Sequence, residues 1–215
     1  MFSGIVESVQ NIEKFENGND SLGLWISRPA DFNDLKIGDS ISLNGICLTL
    51  EEFTTNLMKF TLGTETLKIL GASLPTFLNR SVNLERSLKW GDRIHGHLVS
   101  GHVESLGEVI RSEASGDSWI IEIKCPYESL AFILQKGSIA LHGVSLTVNE
   151  VKGATIQVCL IPETLRKTNL KMFQVGDLIN VETDLNIKSL LKTFDNKELL
   201  KKLSEQIRLS ESEFL

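Results

Sequence analysis

The sequence predicts a mainly β protein made of two homologous six-stranded closed β-barrels in tandem, followed by a C-terminal α-helix. Three observations carry this prediction: an internal repeat at an offset of 97 or 98 residues, a succession of short β-type runs in each copy, and one helical pattern after the second copy. The chain of 215 residues is long enough for two ordinary domains, which are commonly about 100 residues each.

The repeat is clearest in two ten-residue phrases, LNGICLTLEE at residues 43–52 and LHGVSLTVNE at residues 141–150. Four matched blocks in one order at an offset of 97 or 98 indicate a duplicated unit. We therefore expect an N-terminal barrel at residues 1–96 and a C-terminal barrel at residues 97–185. The other three blocks are SGIVES and SGHVES (3–8 and 100–105), ETL twice (65–67 and 163–165), and VNLE and INVE (82–85 and 179–182).

Each copy consists of short runs rich in Val, Ile, Leu and Thr, separated by Gly, Asn or Asp, which is the pattern of short strands. Examples are LGLWIS and ICLTLEEF in the first copy, and SWIIEIKC and TIQVCLI in the second. About six such runs per copy favour a closed barrel, because closure leaves no exposed strand edge. Short helices are expected near PADFNDL, TETLKIL, PYESLAFIL and PETLRKTNL.

After Asp184 the apolar residues fall mostly at spacings of three and four, with Lys and Glu between them. This pattern predicts an amphipathic helix of about 20 residues. Because the first copy has no counterpart, residues 186–215 form a third segment, whose apolar stripe must be covered by its own barrels or by a second chain. We favour self-association through this oligomerisation helix. The stripe consists of Ile187, Leu190, Leu191, Phe194, Leu200, Leu203 and Ile207.

The composition argues against several classes of protein. With 41% hydrophobic and 23% charged residues, the chain has the balance of a soluble globular protein. No apolar run approaches the roughly 18 residues of a membrane span, and the start MFSGIVESVQ lacks the features of a signal peptide, so we expect a cytoplasmic protein. A net charge of −6 without a Lys/Arg cluster argues against nucleic acid. The three cysteines form no CxxC and are expected to be reduced.

The repeated phrases place two hydrogen-bonding side chains on one face of a strand, Cys47 with Thr49 and Ser145 with Thr147. If that face lines a cavity, each pair meets one ligand. Core packing is the alternative, because free Cys and Thr are common in buried strands. The spacing alone favours core packing, and its recurrence in both copies brings the two interpretations to even weight.

His102 stands where the first copy has Ile5, so a ligand-binding or acid–base role for His102 is a hypothesis. A metal site in the phrase RIHGHLVSGH is weakly supported, because Gly96 separates two of its histidines and no carboxylate lies at a suitable spacing. Asp184 is first of all a candidate helix cap, and any catalytic use of its carboxylate belongs to the second copy alone. The segments 64–66 and 162–164 are candidate caps that can also hold anions or carbonyl oxygens.

Several catalytic motifs are absent from the sequence, among them GxGxxG after a strand, GxxxxGK[ST], GxSxG and HExxH. The residues by themselves therefore predict two related pockets and oligomerisation, and they name no substrate.

Together the motifs resemble those of the riboflavin synthase family, and the resemblance covers nearly the whole chain. It is carried by MFSGIVE, NGICLT, VNLERSL, GHLVSGHVES, KGSIALHGVSLTV, LIPETLRKTNL and INVETD, in the family's order. It implies a dismutation in which two molecules of 6,7-dimethyl-8-ribityllumazine exchange a four-carbon unit, giving riboflavin and 5-amino-6-(ribitylamino)uracil, without a cofactor or a metal. The alternative function is a non-catalytic lumazine- or flavin-binding protein of the same fold.

The resemblance also implies a homotrimer gathered by C-terminal helices, with the working site between the N-terminal barrel of one subunit and the C-terminal barrel of its neighbour. It leaves open an association with lumazine synthase. Two departures stand out: His95 replaces a usual Gly, and GASLPTFLNRSVNLE lacks the usual Gly-Asp turn.

Site residues are carried over from the family by position. Candidates for proton transfer or nucleophilic addition, left unranked, are Cys47, Ser145, Thr147, His102 and Asp184. The first lumazine site would take Gly4, Ile5, Val6, Cys47, Leu48, Thr49, Thr61, Leu62, Gly63, Thr64, Glu65 and Thr66. The second would take Gly101, His102, Val103, Ser145, Leu146, Thr147, Cys159, Leu160, Ile161, Pro162, Glu163 and Thr164, with Lys136 reaching across from a partner chain.

Overall fold

The first half of the chain folds into two four-stranded sheets that enclose one hydrophobic core. The computed structural model describes residues 1–195. Within the first half the sheet orders are β1-β8-β4-β5 and β2-β3-β7-β6. The elements are β1 (Ser8–Gln10), β2 (Ile12–Asn17), β3 (Leu22–Ser27), β4 (Ser40–Leu43), β5 (Ile46–Thr49), β6 (Glu52–Phe53), β7 (Leu57–Leu62), α1 (Thr64–Leu70), a 3-10 helix (Gly71–Ser73), α2 (Leu74–Asn79) and β8 (Val82–Arg86).

The second half forms a closed six-stranded barrel in the order β10-β13-β12-β11-β14-β9, all pairs being antiparallel. Its strands alternate buried and less buried residues, as a barrel with a filled interior requires. The elements are β9 (Ser105–Ser115), β10 (Ser118–Lys124), α3 (Tyr127–Leu130), β11 (Ser138–Leu141), β12 (Val144–Lys152), β13 (Thr155–Leu160), α4 (Pro162–Lys167), a 3-10 helix (Asn169–Met172) and β14 (Leu178–Thr183).

The predicted mainly β fold class is confirmed, and of the two closed six-stranded barrels that were predicted, the one in the second half closes while the first half forms two four-stranded sheets. The two halves differ in continuity, because β9 corresponds to β1 plus β2 and β12 corresponds to β5 plus β6. Where β12 passes through a register shift between Val148 and Glu150, the first half has a break at residues 50–51. A bend that one strand absorbs as a bulge thus divides its counterpart into two short strands.

The start of each copy packs against the other half of the molecule. Val6 belongs to the core of the second half, and Val103 belongs to the core of the first. Phe2 and Val99, which are equivalent at the offset of 97, pair with each other: Phe2 N–H donates to Val99 O at 2.8 Å, and Val99 N–H donates to Phe2 O at 3.0 Å. The two equivalent segments are therefore exchanged between the halves about a local twofold relationship.

The helix predicted after Asp184 begins at Leu185 and runs to the end of the described range as α5 (Leu185–Asp195). Leu200, Leu203 and Ile207 of its predicted stripe lie outside the described residues. Met1–Asp184 form one compact unit, and α5 belongs to a second. Among residues 1–195, no helix has the length and apolar character needed to span a membrane.

Candidate functional site

A cavity of about 380 Å³ opens on the outer surface of the first half. Its walls come from β5, from α1 and from the segment at residues 101–103, which belongs to the second copy. A volume of this size falls within the range of small-molecule pockets. The lining residues are Ile46, Cys47, Glu65, Thr66, Ile69, Gly101, His102 and Val103.

The strand β5 explains how Cys47 reaches this cavity. Along β5 the residues alternate, with Ile46 and Leu48 buried while Cys47 is half-buried and Thr49 exposed. The predicted pairing of Cys47 with Thr49 on one face is therefore observed, and that face lies outside the barrel interior. In β12 the same alternation places Ser145 and Thr147 on the outer face.

Each strand contacts the glycine segment of the opposite copy. The Cys47 N–H donates to Gly101 O at 2.8 Å, and the Ser145 N–H donates to Gly4 O at 2.7 Å. The grouping drawn from the sequence, which placed residues 4–6 with Cys47 and residues 101–103 with Ser145, is therefore wrong. The exchange of the two segments between the halves is the physical reason.

Both contacting glycines have no room for a side chain. Gly101 has φ +81°, and a Cβ there would lie 2.6 Å from the Cβ of Cys47. Gly4 has φ +73°, and a Cβ there would lie 2.7 Å from the Cβ of Ser145. Positive φ and close approach both require glycine at these positions.

Two buried carboxylates hold the exchanged segments in place. Glu85 accepts hydrogen bonds from Ser3 N, Ser3 Oγ and Gly4 N at 2.7, 2.9 and 3.0 Å. Glu182 accepts the equivalent bonds from Ser100 N, Ser100 Oγ and Gly101 N at 2.6, 2.7 and 3.0 Å. Burial raises the pKa of Glu85 to about 7, against the lowering effect of the hydrogen bonds from Ser3 and Gly4. The matched VNLE and INVE blocks contain both glutamates, but their pattern by itself indicates only strands.

The second copy contains a serine–histidine pair that was not predicted from the sequence. His97 Nδ1 lies 2.8 Å from Ser145 Oγ, and His97 is only 8% exposed. Burial lowers the pKa of His97, while the charge of Asp184 raises it. Because the net shift is downward, the imidazole is neutral at pH 7 and can accept the Ser145 proton. The phrase HGH was the available signal, but it was weighed only as a weakly supported metal site.

The candidate catalytic residues separate into two groups. His102 is exposed and lines the cavity with Cys47. Ser145 lies with His97, and the charge of Asp184 acts on that imidazole. Among residues 1–195, no three His, Cys, Asp or Glu side chains converge on a position that could hold a metal.

The remaining predicted residues follow the strand pattern. Four leucines are buried in the hydrophobic cores of the two halves, so only their backbone groups are available to a ligand: Leu48, Leu62, Leu146 and Leu160. Half-buried positions are Thr61, Thr66, Cys159 and Thr164, and exposed ones are Ile5, Thr49, Gly63, Thr64, Glu65, Lys136, Thr147, Ile161, Pro162 and Glu163.

The predicted helix caps are placed differently in the structure. The N-cap residues of α1 and α4 are Gly63 and Ile161, and neither makes a side-chain capping bond. Thr64 Oγ1 instead donates to Asp20 O at 2.9 Å. The capping hypothesis for segments 64–66 and 162–164 is therefore wrong, because these residues already lie within the first turns of the helices.

Comparisons with known proteins agree with this architecture. A lumazine-binding-domain family model matches residues 3–87 and 100–184. A riboflavin synthase of Photobacterium phosphoreum is 37% identical over 186 residues, which cover 86% of this chain and 85% of the relative. One of Chlamydia trachomatis is 37% identical over 205 residues, covering 95% and 100%.

Solved structures of LumP share the fold. The complex of LumP with 6,7-dimethyl-8-(1′-D-ribityl)lumazine has a TM-score of 0.76 at 24% identity, and the complex with riboflavin has a TM-score of 0.78 at 24% identity. Each comparison covers 85% of this chain and 99% of the other. With two matched lumazine-binding domains and relatives above one-third identity over most of its length, the chain belongs to the riboflavin synthase family of enzymes.

Proposed function

We propose that the protein converts two molecules of 6,7-dimethyl-8-ribityllumazine into riboflavin and 5-amino-6-(ribitylamino)uracil. A four-carbon unit leaves one lumazine and joins the other. The donor and the acceptor of this unit are two molecules of the same compound. The observation that carries the proposal is the duplicated site: Cys47 and Ser145 occupy equivalent strand positions, each bonded through its N–H to the glycine carbonyl of the opposite copy. A reaction between two identical molecules can use two related sites that differ in their chemical groups.

The proposed reaction requires the protein mainly to orient the two lumazine rings and to transfer protons. The 7-methyl group of the lumazine is acidic because its carbanion is delocalised over the heterocycle. Holding two rings in a productive orientation can lower a barrier by several kcal/mol, up to roughly 7–11 kcal/mol in favourable cases. A positioned acid or base contributes typically about 10²–10⁴-fold more.

We assign the acid–base and nucleophilic work of the second site to Ser145 with His97. A neutral imidazole at 2.8 Å can take the hydroxyl proton as the Ser145 oxygen adds to the lumazine ring, and the imidazolium can return that proton when the oxygen leaves. At the first site Cys47 and His102 line one cavity, where they can contact the partner lumazine. The sulfur in place of a hydroxyl makes the two sites chemically unequal.

The proposal includes a homotrimer in which the first site of one subunit faces the second site of its neighbour, with Lys136 reaching across. The backbone at Lys136 supports a role for its side chain. Lys136 has φ +67°, whereas the matched Gly38 has φ +95°. A lysine at such a position costs about 1 kcal/mol relative to glycine, so its presence favours a functional use. The same proposal includes that the protein acts in the cytoplasm and that it associates with lumazine synthase.

A carrier of lumazine or flavin is the second candidate function. The likeness to LumP, at TM-scores of 0.76 and 0.78, favours it because the fold is shared. Against it, both halves of this chain keep the strand pair, the contacting glycine and the carboxylate that holds the glycine segment.

Incubation of the purified protein with 6,7-dimethyl-8-ribityllumazine alone separates the two candidates. Without added metal, oxygen or nicotinamide, the dismutation gives one riboflavin for every two lumazines consumed, which absorption spectra measure. Tight binding with no riboflavin formed identifies a carrier. The Ser145→Ala variant is the matched control, because it removes one hydroxyl from the second site and leaves the first site unchanged.

A further inference from the structure

A buried polar cluster lies where the two halves meet. Asn83 in β8 and Asn180 in β14 are matched positions, exposed by 2% and 1%. Asn83 Nδ2 donates to His142 O at 3.0 Å, and Asn180 Nδ2 donates to Asn44 O at 2.8 Å. Each half thereby binds the turn that precedes the site strand of the other half.

The turns at Asn44 and His142 differ in the side chain that accepts a hydrogen bond from the backbone N–H of the neighbouring strand. In the first half, Asn44 Oδ1 accepts from Asn83 N–H at 2.8 Å. In the second half, His142 Nδ1 accepts from Asn180 N–H at 2.9 Å. Because Nδ1 is an acceptor, the proton of the neutral ring is on Nε2, and this one ring donor stands where the first half has the amide Nδ2 of Asn44.

Other groups around His142 keep the ring neutral and fix its position. Burial lowers the pKa of His142 to about 3, and the charge of Arg80 lowers it further, while that of Asp177 raises it. Arg80 and Asp177 pair with each other at 2.8 Å. The ring also meets the edge of Phe173 at a centroid distance of 4.7 Å and an interplanar angle of 83°.

Two amide oxygens of the cluster have no protein partner among residues 1–195. They are Asn169 Oδ1 and Asn180 Oδ1, in side chains that are 4% and 1% exposed. Their orientations are fixed, because Asn169 Nδ2 donates to Asn44 Oδ1 and Ser81 O, and Asn180 Nδ2 donates to Asn44 O. A buried acceptor without a hydrogen bond lowers stability by about 1–3 kcal/mol. Two such acceptors in one cluster therefore indicate that a bound group donates hydrogen bonds to them.

A cavity of about 10 Å³ is lined by Asn169, Asn180 and His142. One water molecule needs roughly 10–15 Å³ on this measure, together with two to four polar partners. The ligand must supply hydrogen-bond donors to two oxygens. A cation is disfavoured, because the Arg80 guanidinium lines the same cavity.

We propose that this cavity binds a single structural water molecule, which donates to Asn169 Oδ1 and Asn180 Oδ1 and accepts from His142 Nε2–H. The water satisfies both amide oxygens and makes three hydrogen bonds, the usual number for a buried water. It completes a network that holds the turns before β5 and β12, the strands that carry Cys47 and Ser145. The site depends on His142 and therefore exists on one side of the local twofold only. It does not rest on the proposed catalytic function.

The direct test is a high-resolution crystal structure of the intact protein, in which a fully occupied buried water is resolved as a discrete density peak. The expected result is one peak within hydrogen-bonding distance of both amide oxygens. In solution, magnetisation transfer from a long-lived water to the amide protons of residues 169 and 180 is expected. A dry cavity, or amide groups turned to protein partners, overturns the proposal.

A variant tests the contribution of His142. His142→Asn restores the residue of the first half, which tolerates the positive φ of +48° and can accept from Asn180 N–H as Asn44 does. The expected results are loss of the water peak and a Tm lower by roughly 2–8 °C. The control Met172→Leu alters another lining residue and should retain the peak. A water that stays in place in His142→Asn contradicts the three-partner site.

Discussion

His97 and Ser145 are joined by a contact of 2.8 Å between Nδ1 and Oγ, although 48 residues separate them in the chain. The backbone N–H of His97 also donates to Ser3 O at 3.2 Å, so the backbone of His97 is bonded to the exchanged N-terminal segment. This relationship places a neutral base beside the residue that replaces Cys47 in the second copy.

The first prediction concerns His97 itself. His97→Gln should lower kcat by about 10²-fold, because the Ser145 proton loses its acceptor. The exposed neighbour His95 is the matched control, and His95→Gln should leave kcat nearly unchanged. Equal losses in the two variants would show that the loop, and not the His97–Ser145 contact, is responsible.

The pH profile provides a second readout for the same pair. Burial lowers the pKa of His97 below 6.5, and the working form is the neutral one. As the pH falls, activity should therefore persist through 6.5 and decline only when the imidazole becomes protonated at lower pH. His97→Gln should lack this acidic decline. A decline in the wild type centred at or above pH 6.5 contradicts the assignment.

The two thiols Cys47 and Cys125 should differ in their importance. Cys47 lines the 380 Å³ cavity, whereas Cys125 is buried, and burial raises its pKa to about 12. Cys47→Ser should therefore impair turnover far more than Cys125→Ser, by roughly tenfold or more if the sulfur contributes over 1.4 kcal/mol to the barrier. Equal steady-state rates for the two variants would remove Cys47 from the mechanism.

Substitution of Gly101 tests the exchanged segments. Gly101→Ala places a Cβ 2.6 Å from that of Cys47 and retains φ +81°, so both a steric clash and backbone strain follow. Gly116 has φ +59°, and a Cβ there would have no other atom within 4 Å, so Gly116→Ala reports backbone strain alone. In urea unfolding, Gly101→Ala should be less stable than Gly116→Ala by about 1–3 kcal/mol. Equal stabilities would contradict the close approach.

Lys136 offers a test in which stability and activity move in opposite directions. Lys136→Gly removes the cost of φ +67° and should raise the free energy of unfolding by up to about 1 kcal/mol. If the side chain serves the proposed shared site, kcat/KM should fall in the same variant. Lys136→Asn, which also tolerates this conformation, should behave alike. Unchanged kcat/KM in both variants would exclude a role for the amine.

Glu85 predicts a pH dependence of stability. Its folded-state pKa of about 7 lies above the ordinary value of 4.5, so the unfolded state loses this proton first. Stability should therefore fall as the pH rises from 4.5 to 7, by up to about 3 kcal/mol for a shift of this size. Glu85→Gln should lose this slope in urea unfolding measured across the range. The same slope in the variant would assign it to another group.

Much of the fold could be predicted from the sequence, because it is encoded locally and then repeated. Strand runs such as LGLWIS alternate buried and less buried residues in the structure. The same alternation put Cys47 and Thr49 on one face, as the spacing predicts. The break at residues 50–51 was not predictable, because a bulge and a strand end look alike in a run of this length.

The candidate site was predicted less completely. Its strand residues were found because they sit in repeated phrases. His97 was missed because its role comes from one tertiary contact with Ser145. Glu85 and Glu182 were recognised only as strand residues, since their partners at Ser3 and Ser100 lie about 80 residues away in the chain.

A duplicated, mainly β chain with related residues at matched positions follows from the amino-acid order alone, because periodicity and repetition are local properties of the chain. Which copies of those residues meet depends on long-range packing. The exchange of the segments around Gly4 and Gly101 joins Cys47 to Gly101 and Ser145 to Gly4. A repeat offset is the same whether equivalent segments stay in their own half or cross over. The choice is made by core packing, where Val6 and Val103 each fill the core of the opposite half.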